Sequence, residues 1–124
     1  MMKDTFNYIQ IPEKLYQEVG LTGSSYICNP PITDTDIDYV IYSEDWDKLH
    51  LWCEKNAFKT NFEAYEHEAF RSYKRGVINL IITDDPIFYK RFVKATEIAK
   101  QLNLLNKQQR IDLFAFVLYE SNIV

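Results

Sequence analysis

The chain has 124 residues, of which 47% are hydrophobic and 26% are charged, and its formal net charge is −4. This length predicts one domain, residues 1–124, and the charge disfavours strong nonspecific binding to nucleic acid, which needs many phosphate-neutralising cations. No apolar run reaches the roughly 18 residues of a membrane span, and the N-terminus lacks the apolar stretch of a signal peptide, so we expect a cytoplasmic protein that does not bind membranes.

Short elements alternate in the first third of the chain. A proline at the first position and apolar residues at helical spacing predict a helix over residues 12–20. A brief strand at 21–22 then leads into a small-residue turn at 23–25. Residues 26–34 contain two consecutive prolines, which predict a segment without a helix. A run of β-branched and aromatic residues predicts a central strand over residues 36–42.

A helix is predicted after this strand, with Ser43 as its cap and acidic residues in its first turn. Its apolar stripe consists of Trp46, Leu49, Trp52 and Cys53. Residues 58–68 have a mixed pattern that fits a strand or irregular turns. Residues 69–73 and 77–83 predict a hairpin, and the second strand is nearly continuously apolar, which is typical of a central position in a sheet.

Two helices are predicted at the C-terminal end. The first begins at Asp85-Pro86 and runs to about Leu102, and the second opens at Asn106 with Gln109 three residues later, as in a capping box. Their predicted buried residues are Phe88, Phe92, Ala95, Ala99, Leu102, Ile111, Phe114, Val117 and Leu118. The whole order predicts an α+β fold, a small mixed β-sheet with flanking helices and two C-terminal helices.

Two short motifs suggest chemistry. The turn Gly23-Ser24-Ser25 precedes Asp36-Ile37-Asp38 at the start of the central strand, with eleven spacer residues between Ser24 and Asp36. Side chains at i and i+2 of a strand lie on one face, roughly 7 Å apart, and two carboxylates so close suit a shared divalent cation. A Gly-Ser-Ser turn offers backbone N–H groups and hydroxyls to phosphate oxygens.

In this order and at this spacing, the two motifs resemble the nucleotidyltransferase superfamily that includes DNA polymerase β. The resemblance covers about residues 12–85 and implies a minimal nucleotidyltransferase fold. It also implies Mg²⁺ or Mn²⁺ held by Asp36 and Asp38, and a nucleoside triphosphate whose phosphates contact Gly23, Ser24 and Ser25. The acceptor, nucleic acid or protein, stays open.

The family usually has a third carboxylate on a neighbouring strand, and the matching strand here has Asn79 as its polar interior residue. Asparagine brings no charge and cannot act as a base. Asn79 therefore indicates either a transferase with an altered metal site, helped by Asp84 or Glu68, or a noncatalytic module of this fold that binds a protein or nucleic acid. A compact chain of the second kind suits a phage or mobile element.

Three basic residues, Arg71, Lys74 and Arg75, are concentrated at the predicted hairpin. They fit a solvated turn or a phosphate clamp beside the acidic pair. Cys28 and Cys53 have no Cys or His partner at metal-ligand spacing, so we expect reduced thiols. His50 and His67 are isolated and are expected to be surface or half-buried side chains.

Overall fold

A mixed five-stranded sheet organises the chain, whose computed structural model describes residues 2–32, 36–61 and 69–120. Two parallel strands lie next to each other at the centre, and every other neighbouring pair is antiparallel. The strands, in chain order, are β1 (Glu18–Thr22), β2 (Ile37–Tyr42), β3 (Lys59–Asn61), β4 (Arg71–Arg75) and β5 (Ile78–Thr83). Their order across the sheet is β1-β2-β5-β4-β3.

Helices cover both faces of the sheet. They are α1 (Met2–Ile9), α2 (Ser24–Ile27), α3 (Trp46–Lys55), α4 (Pro86–Gln101) and α5 (Lys107–Ala115), with a 3-10 turn at Glu13–Leu15 and a π-helical turn at Phe116–Glu120. The core cluster on one face is formed with α2, α4 and α5, and the cluster on the other face with α1 and α3. We call these the α4 face and the α3 face.

The two faces explain why the central strands are apolar almost throughout. Along β2, Val40 packs in the α4 cluster, whereas Tyr39 and Ile41 pack in the α3 cluster. All three are fully buried, because a strand covered on both sides needs apolar residues at consecutive positions. On the α4 face the core is aromatic, with Phe92 and Phe114 ring centroids 5.0 Å apart.

The predicted fold class is confirmed: this is an α+β fold with a small mixed sheet and two C-terminal helices. β5 occupies the centre of the sheet, and β4 and β5 form the predicted hairpin around Gly76. The N-caps predicted for the two C-terminal helices are both present. The side chain of Asp85 accepts hydrogen bonds from the N–H groups of Ile87 and Phe88, and that of Asn106 accepts one from Gln109.

We expect Asp85→Ala to lower the free energy of unfolding by about 1 kcal/mol, the usual cost of losing an N-cap. The carboxylate accepts from the backbone of Ile87 at 2.9 Å and of Phe88 at 3.3 Å, and both N–H groups would lose this partner. Urea denaturation measures the change. Asp84→Ala is the control, since Asp84 is exposed and lies before the cap; equal losses in both variants would contradict the capping role.

The predicted helix over residues 12–20 is wrong. Only the 3-10 turn at Glu13–Leu15 is helical, Tyr16 is already extended with φ −149°, and Glu18–Thr22 is strand β1. Pairing with β2 overrides the helical spacing, because Val19 and Gly20 lie opposite Ile41 and Val40 in an antiparallel ladder.

The segment after the Gly23 turn also differs from its prediction. Residues 26–34 were expected to lack a helix, yet Tyr26 and Ile27 belong to α2. The helix ends there, before the prolines, so the prolines fix where α2 stops rather than exclude it. Asp34, the last residue of this segment, lies outside the described residues.

Smaller differences concern helix ends and burial. The N-cap of α3 is Asp45 rather than Ser43, whose hydroxyl instead accepts from the Asp45 N–H at 3.1 Å. Leu102 follows the end of α4 and is 63% exposed, so its predicted burial is wrong. The other predicted buried residues of the C-terminal helices are buried, except Ile111, which is half-buried.

The apolar stripe of α3 and both thiols follow the sequence prediction. Leu49 and Cys53 are fully buried, and Trp46 and Trp52 pack partly buried against the same cluster. Both cysteines are free, and burial raises the pKa of the Cys53 thiol to about 12.

The predicted segment 58–68 is described in its first part. Residues 58–61 contain β3, while residues 62–68 lie outside the described part, together with His67 and Glu68. Among the described helices, none has the length and apolar character needed to cross a bilayer.

Candidate functional site

A row of polar side chains crosses the sheet at the beginning of its two parallel strands. Asp38 of β2 is the register partner of Thr22 on β1 and of Asn79 on β5. Asn79 is in turn opposite Lys74 on β4, and Lys74 is opposite Lys59 on β3. Directly opposed residues point to the same face of a sheet. Thr22 donates to or accepts from Thr96 of α4 at 2.8 Å, which places the row on the α4 face.

The centre of the row is a chain of side-chain hydrogen bonds. The Asn79 amide nitrogen donates to Oδ1 of Asp38 at 2.8 Å, and the Asn61 amide nitrogen donates to Oδ1 of Asn79 at 3.2 Å. Asn79 is 1% exposed, so this polar group is buried with its partners on both sides. The arrangement holds the Asp38 carboxylate in one orientation, since a buried amide left unpaired costs about 1–3 kcal/mol.

Asp36 was predicted to begin the central strand, but it lies one residue before β2. An ion pair joins it to the row. Lys74 Nζ lies 3.1 Å from Oδ1 of Asp36, with 41% of the lysine side chain and 30% of the aspartate side chain exposed. Because Lys74 stands on the same face as Asp38, the contact shows that Asp36 and Asp38 share this face. Both predicted carboxylates are thus at the same end of the sheet.

The Gly23 turn lies directly against Asp38. Gly23 has φ +77°, and a Cβ atom added there would stand 1.8 Å from Oδ2 of Asp38. Its carbonyl accepts hydrogen bonds from the N–H groups of Tyr26 at 3.1 Å and Ile27 at 2.9 Å, which start α2. Glycine is required here because only a residue without a side chain fits between the turn and the carboxylate.

The two serines after Gly23 differ in their surroundings. Ser24 is half-buried, whereas Ser25 is 6% exposed. The Ser25 hydroxyl has no hydrogen-bond partner among the described residues. Of the three residues predicted to contact phosphate, Gly23 and Ser24 are therefore the more accessible.

The predicted basic patch does not form as one surface. Lys74 points to the α4 face with the carboxylates, but Arg71 and Arg75 alternate with it along β4 and point to the α3 face. Arg75 donates to the Asn56 carbonyl at 2.8 Å and lies 4.4 Å from the centre of the Phe58 ring. A clamp of all three residues beside the acidic pair is thus wrong, because adjacent residues of a strand face opposite sides.

Arg71 instead lies near half-buried His50. Burial, followed by the positive charge of Arg71, lowers the pKa of this histidine. Its ring is 4.5 Å from the Trp46 ring and 5.2 Å from that of Tyr73, between centroids, and neither ring nitrogen has a hydrogen-bond partner in the described ranges. This aromatic packing on the α3 face agrees with a structural histidine.

Neither acidic residue suggested as a helper of Asn79 joins the row. Asp84 follows the opposite end of β5, roughly 17 Å from Asn79 at the rise of an extended strand, and Glu68 lies outside the described residues. Three contributors were missed. Lys59 and Asn61 lie in a segment of mixed pattern that gave no signal, whereas Thr22 would have followed from recognising β1 as a strand paired with β2.

The donor set fits a magnesium-like ion only in part. Within residues 2–32, 36–61 and 69–120, no group of three His, Cys, Asp or Glu side chains could hold a metal. Asn79 turns its amide nitrogen to Asp38, so it positions this carboxylate rather than offering an oxygen. Two carboxylates remain, and this number is sufficient where water and substrate phosphates complete the coordination, as is common for Mg²⁺.

The strands, the flanking helices and the two C-terminal helices together define an α+β fold built on a mixed five-stranded sheet. No family model matches the chain, and no curated protein shows significant similarity to it. Among solved structures, the chain is similar to conserved protein GrpB from Enterococcus faecalis, with a TM-score of 0.52 and 18% identity over 93% of this chain and 84% of that one. At this identity, the similarity shows the fold alone.

Proposed function

We propose that the chain binds Mg²⁺ or Mn²⁺ together with a nucleoside triphosphate and transfers a nucleotidyl group to an acceptor, nucleic acid or protein. The observation that carries the proposal is the contact between the Gly23 turn and Asp38. It brings the proposed phosphate contacts of Gly23, Ser24 and Ser25 next to the proposed metal ligands. A cytoplasmic location is part of the same proposal.

The residues have distinct roles in this proposal. Asp36 and Asp38 hold the metal ion, and Asn79 positions Asp38 through its 2.8 Å hydrogen bond. The acceptor attacks the α-phosphate and pyrophosphate leaves; when bound, the metal would supply electrostatic stabilisation of the charge that develops on these groups. The backbone N–H groups of the Gly23 turn orient the phosphates, and Lys74 adds a positive charge on the same face.

We expect Asp36→Asn combined with Asp38→Asn to abolish Mg²⁺-dependent nucleotide binding. The stability of the metal-free fold should change by no more than about 1 kcal/mol, because the partly exposed Lys74–Asp36 pair contributes little and the asparagine introduced at position 38 retains an oxygen for Asn79. Calorimetric titration with the four ribonucleoside triphosphates, with and without MgCl₂, measures binding. Asp84→Asn is the matched control, since it removes a carboxylate from the opposite end of β5 and should bind as the parent does.

Mg²⁺-dependent nucleotide binding by the double variant at the parent's affinity would contradict the metal assignment. Binding by the parent without any response to Mg²⁺ would contradict it as well.

A second candidate function is a noncatalytic module of this fold that binds a protein or nucleic acid, of phage or mobile-element type. The observation that favours it is that both carboxylates already have partners without a metal: Lys74 neutralises Asp36, and Asn79 donates to Asp38. This candidate predicts a parent that binds neither metal nor triphosphate, so the same titration separates the two.

A further inference from the structure

Lys74 stands where the proposed metal ion would be held. Its ammonium group contacts Asp36 at 3.1 Å, on the same face as Asp38. A divalent cation shared by the two carboxylates must approach this oxygen of Asp36 or its neighbour. The metal ion and the ammonium group are both cations, so they compete for the Asp36 carboxylate. At low metal concentration, Lys74 stays paired with Asp36.

The backbone of Lys74 is fixed, but its ammonium group is not. Lys74 lies on β4, which is paired on both sides, and is opposite Lys59 of β3 and Asn79 of β5. Its side chain is 41% exposed, so its long stem can move the charged end into solvent without disturbing the sheet. Release of Asp36 is thus a side-chain movement and needs no change of fold.

Release of Lys74 creates a positively charged surface. Lys59 and Lys74 are direct register partners on the same face, and like charges in such a position repel. In the observed arrangement, Asp36 offsets the charge of Lys74. Once a metal ion takes Asp36, two ammonium groups stand beside the metal without this carboxylate, and an anion then gains from both lysines and from the metal.

We propose, on the basis of the proposed function, that this site binds a metal–polyphosphate complex in preference to the bare metal ion. The Lys74–Asp36 contact causes this preference. Bare metal must displace Lys74 and leave it beside Lys59. When the metal ion binds together with a polyphosphate, the polyphosphate is the anion with which both lysines then form ion pairs. Metal and polyphosphate therefore bind cooperatively, and the coupling is reciprocal, since each favours the other by the same factor.

The test uses Mn²⁺ alone and the preformed complex of Mn²⁺ with tripolyphosphate, which carries no base or sugar. Isothermal titration of the full chain gives the dissociation constant for each probe. The variants are Lys74→Met, which keeps the apolar stem without the charge, and Lys74→Gln, which guards against a packing defect of the first. Lys59→Met is the matched control, because it removes a lysine of the same row that does not contact Asp36; circular dichroism verifies folding.

We expect Lys74→Met and Lys74→Gln to bind bare Mn²⁺ about tenfold more tightly than the parent and the Mn²⁺–tripolyphosphate complex more weakly. The preference for the complex over bare metal then falls in both. Lys59→Met should tighten bare-metal binding much less than the Lys74 variants do, because it removes only the repulsion that released Lys74 meets and not the contact with Asp36, and it should weaken binding of the complex. Binding of bare Mn²⁺ by the Lys74 variants where the parent shows none would equally support the proposal.

Unchanged bare-metal affinity in both Lys74 variants, while the complex still binds, overturns the role of Lys74 and leaves the proposed function standing. Equal tightening by Lys59→Met also overturns it, because the effect then reflects net charge and not the contact with Asp36. Absence of binding of either probe in every variant overturns the proposed function and the inference together.

Discussion

Gly23→Ala is expected to be among the most damaging single changes in this chain, with a loss of about 3 kcal/mol or more in the free energy of unfolding. Gly23 has φ +77° and ψ 174°, a region essentially restricted to glycine, where another residue costs about 1–3 kcal/mol. The added Cβ would in addition stand 1.8 Å from Oδ2 and 2.7 Å from Cγ of Asp38. The carboxylate cannot stay where it is.

Gly76→Ala is the control for a positive φ without a collision. Gly76 also has a positive φ, +60°, but a Cβ atom there meets nothing within 4 Å. Its loss should reflect backbone strain alone, about 1–2 kcal/mol for a left-handed residue. The difference between the variants in urea denaturation therefore contains the collision with Asp38 together with any greater backbone strain at Gly23.

A double variant identifies the partner in this collision. In a background of Asp38→Ala, the carboxylate is absent and Gly23→Ala should cost less than in the parent, although the strain of φ +77° remains. If Gly23→Ala cost no more than Gly76→Ala, or if Asp38→Ala gave no relief, the close packing of the turn on Asp38 would not be what requires glycine.

The parts of the fold that follow from the sequence are those whose local signals agree with their tertiary surroundings. α4 combines an Asp85 cap, a proline at its start and aromatic residues at helical spacing, and each of these features is present as predicted. β5 is central because its run of apolar residues has to be covered on both faces. In such segments, propensity and packing favour the same structure.

β1 shows why the remainder was not predictable from local patterns. Val19 fits an apolar stripe of a helix together with Leu15 and Tyr16, but it also fits one face of a strand together with Leu21, and pairing with β2 decides between them. Local patterns limit the prediction of the site in the same way. The Asp36-Ile37-Asp38 spacing predicts a shared face, but the partners Lys74 and Asn61 come from the order of strands, which no local signal contains.

The prediction that three basic residues form one patch was wrong for a related reason. Closeness in sequence suggested that Arg71, Lys74 and Arg75 act together, yet strand alternation separates the lysine from both arginines. Treating residues 71–75 as one strand, as the structure has it, would have shown that only Lys74 can lie on the face of Asp38. The period of the element, and not the density of charge, decides which side chains meet.

Asn79→Asp is expected to have the other large effect, a metal-free loss of about 2–3 kcal/mol that Mg²⁺ reverses. The amide nitrogen that donates to Asp38 at 2.8 Å becomes a carboxylate oxygen, so a charge-assisted hydrogen bond is replaced by repulsion at a position that is 1% exposed. Asn61 still donates to the other oxygen, so the side chain keeps its orientation. Thermal and urea denaturation with and without MgCl₂ measure both effects.

The loss should also depend on pH in a defined direction. Two adjacent carboxylates hold a proton more tightly when folded, so the folded pKa of the pair lies above the unfolded value near 4. A raised carboxyl pKa stabilises the folded protein at low pH and loses this contribution as pH rises through the folded pKa. The deficit of Asn79→Asp relative to the parent is therefore smallest below about pH 4 and grows above it.

Asn79→Leu separates the missing hydrogen bond from the added charge. It removes the donor to Asp38 without adding a carboxylate, so its stability should not respond to Mg²⁺ more than that of the parent. Asn79→Asp adds a third carboxylate beside Asp38, and a metal at 100 times its dissociation constant would restore about 2.7 kcal/mol. If Asn79→Asp were destabilised and indifferent to Mg²⁺, the row of polar residues would not hold a metal even with a third carboxylate, and the noncatalytic module would be the better account of this fold.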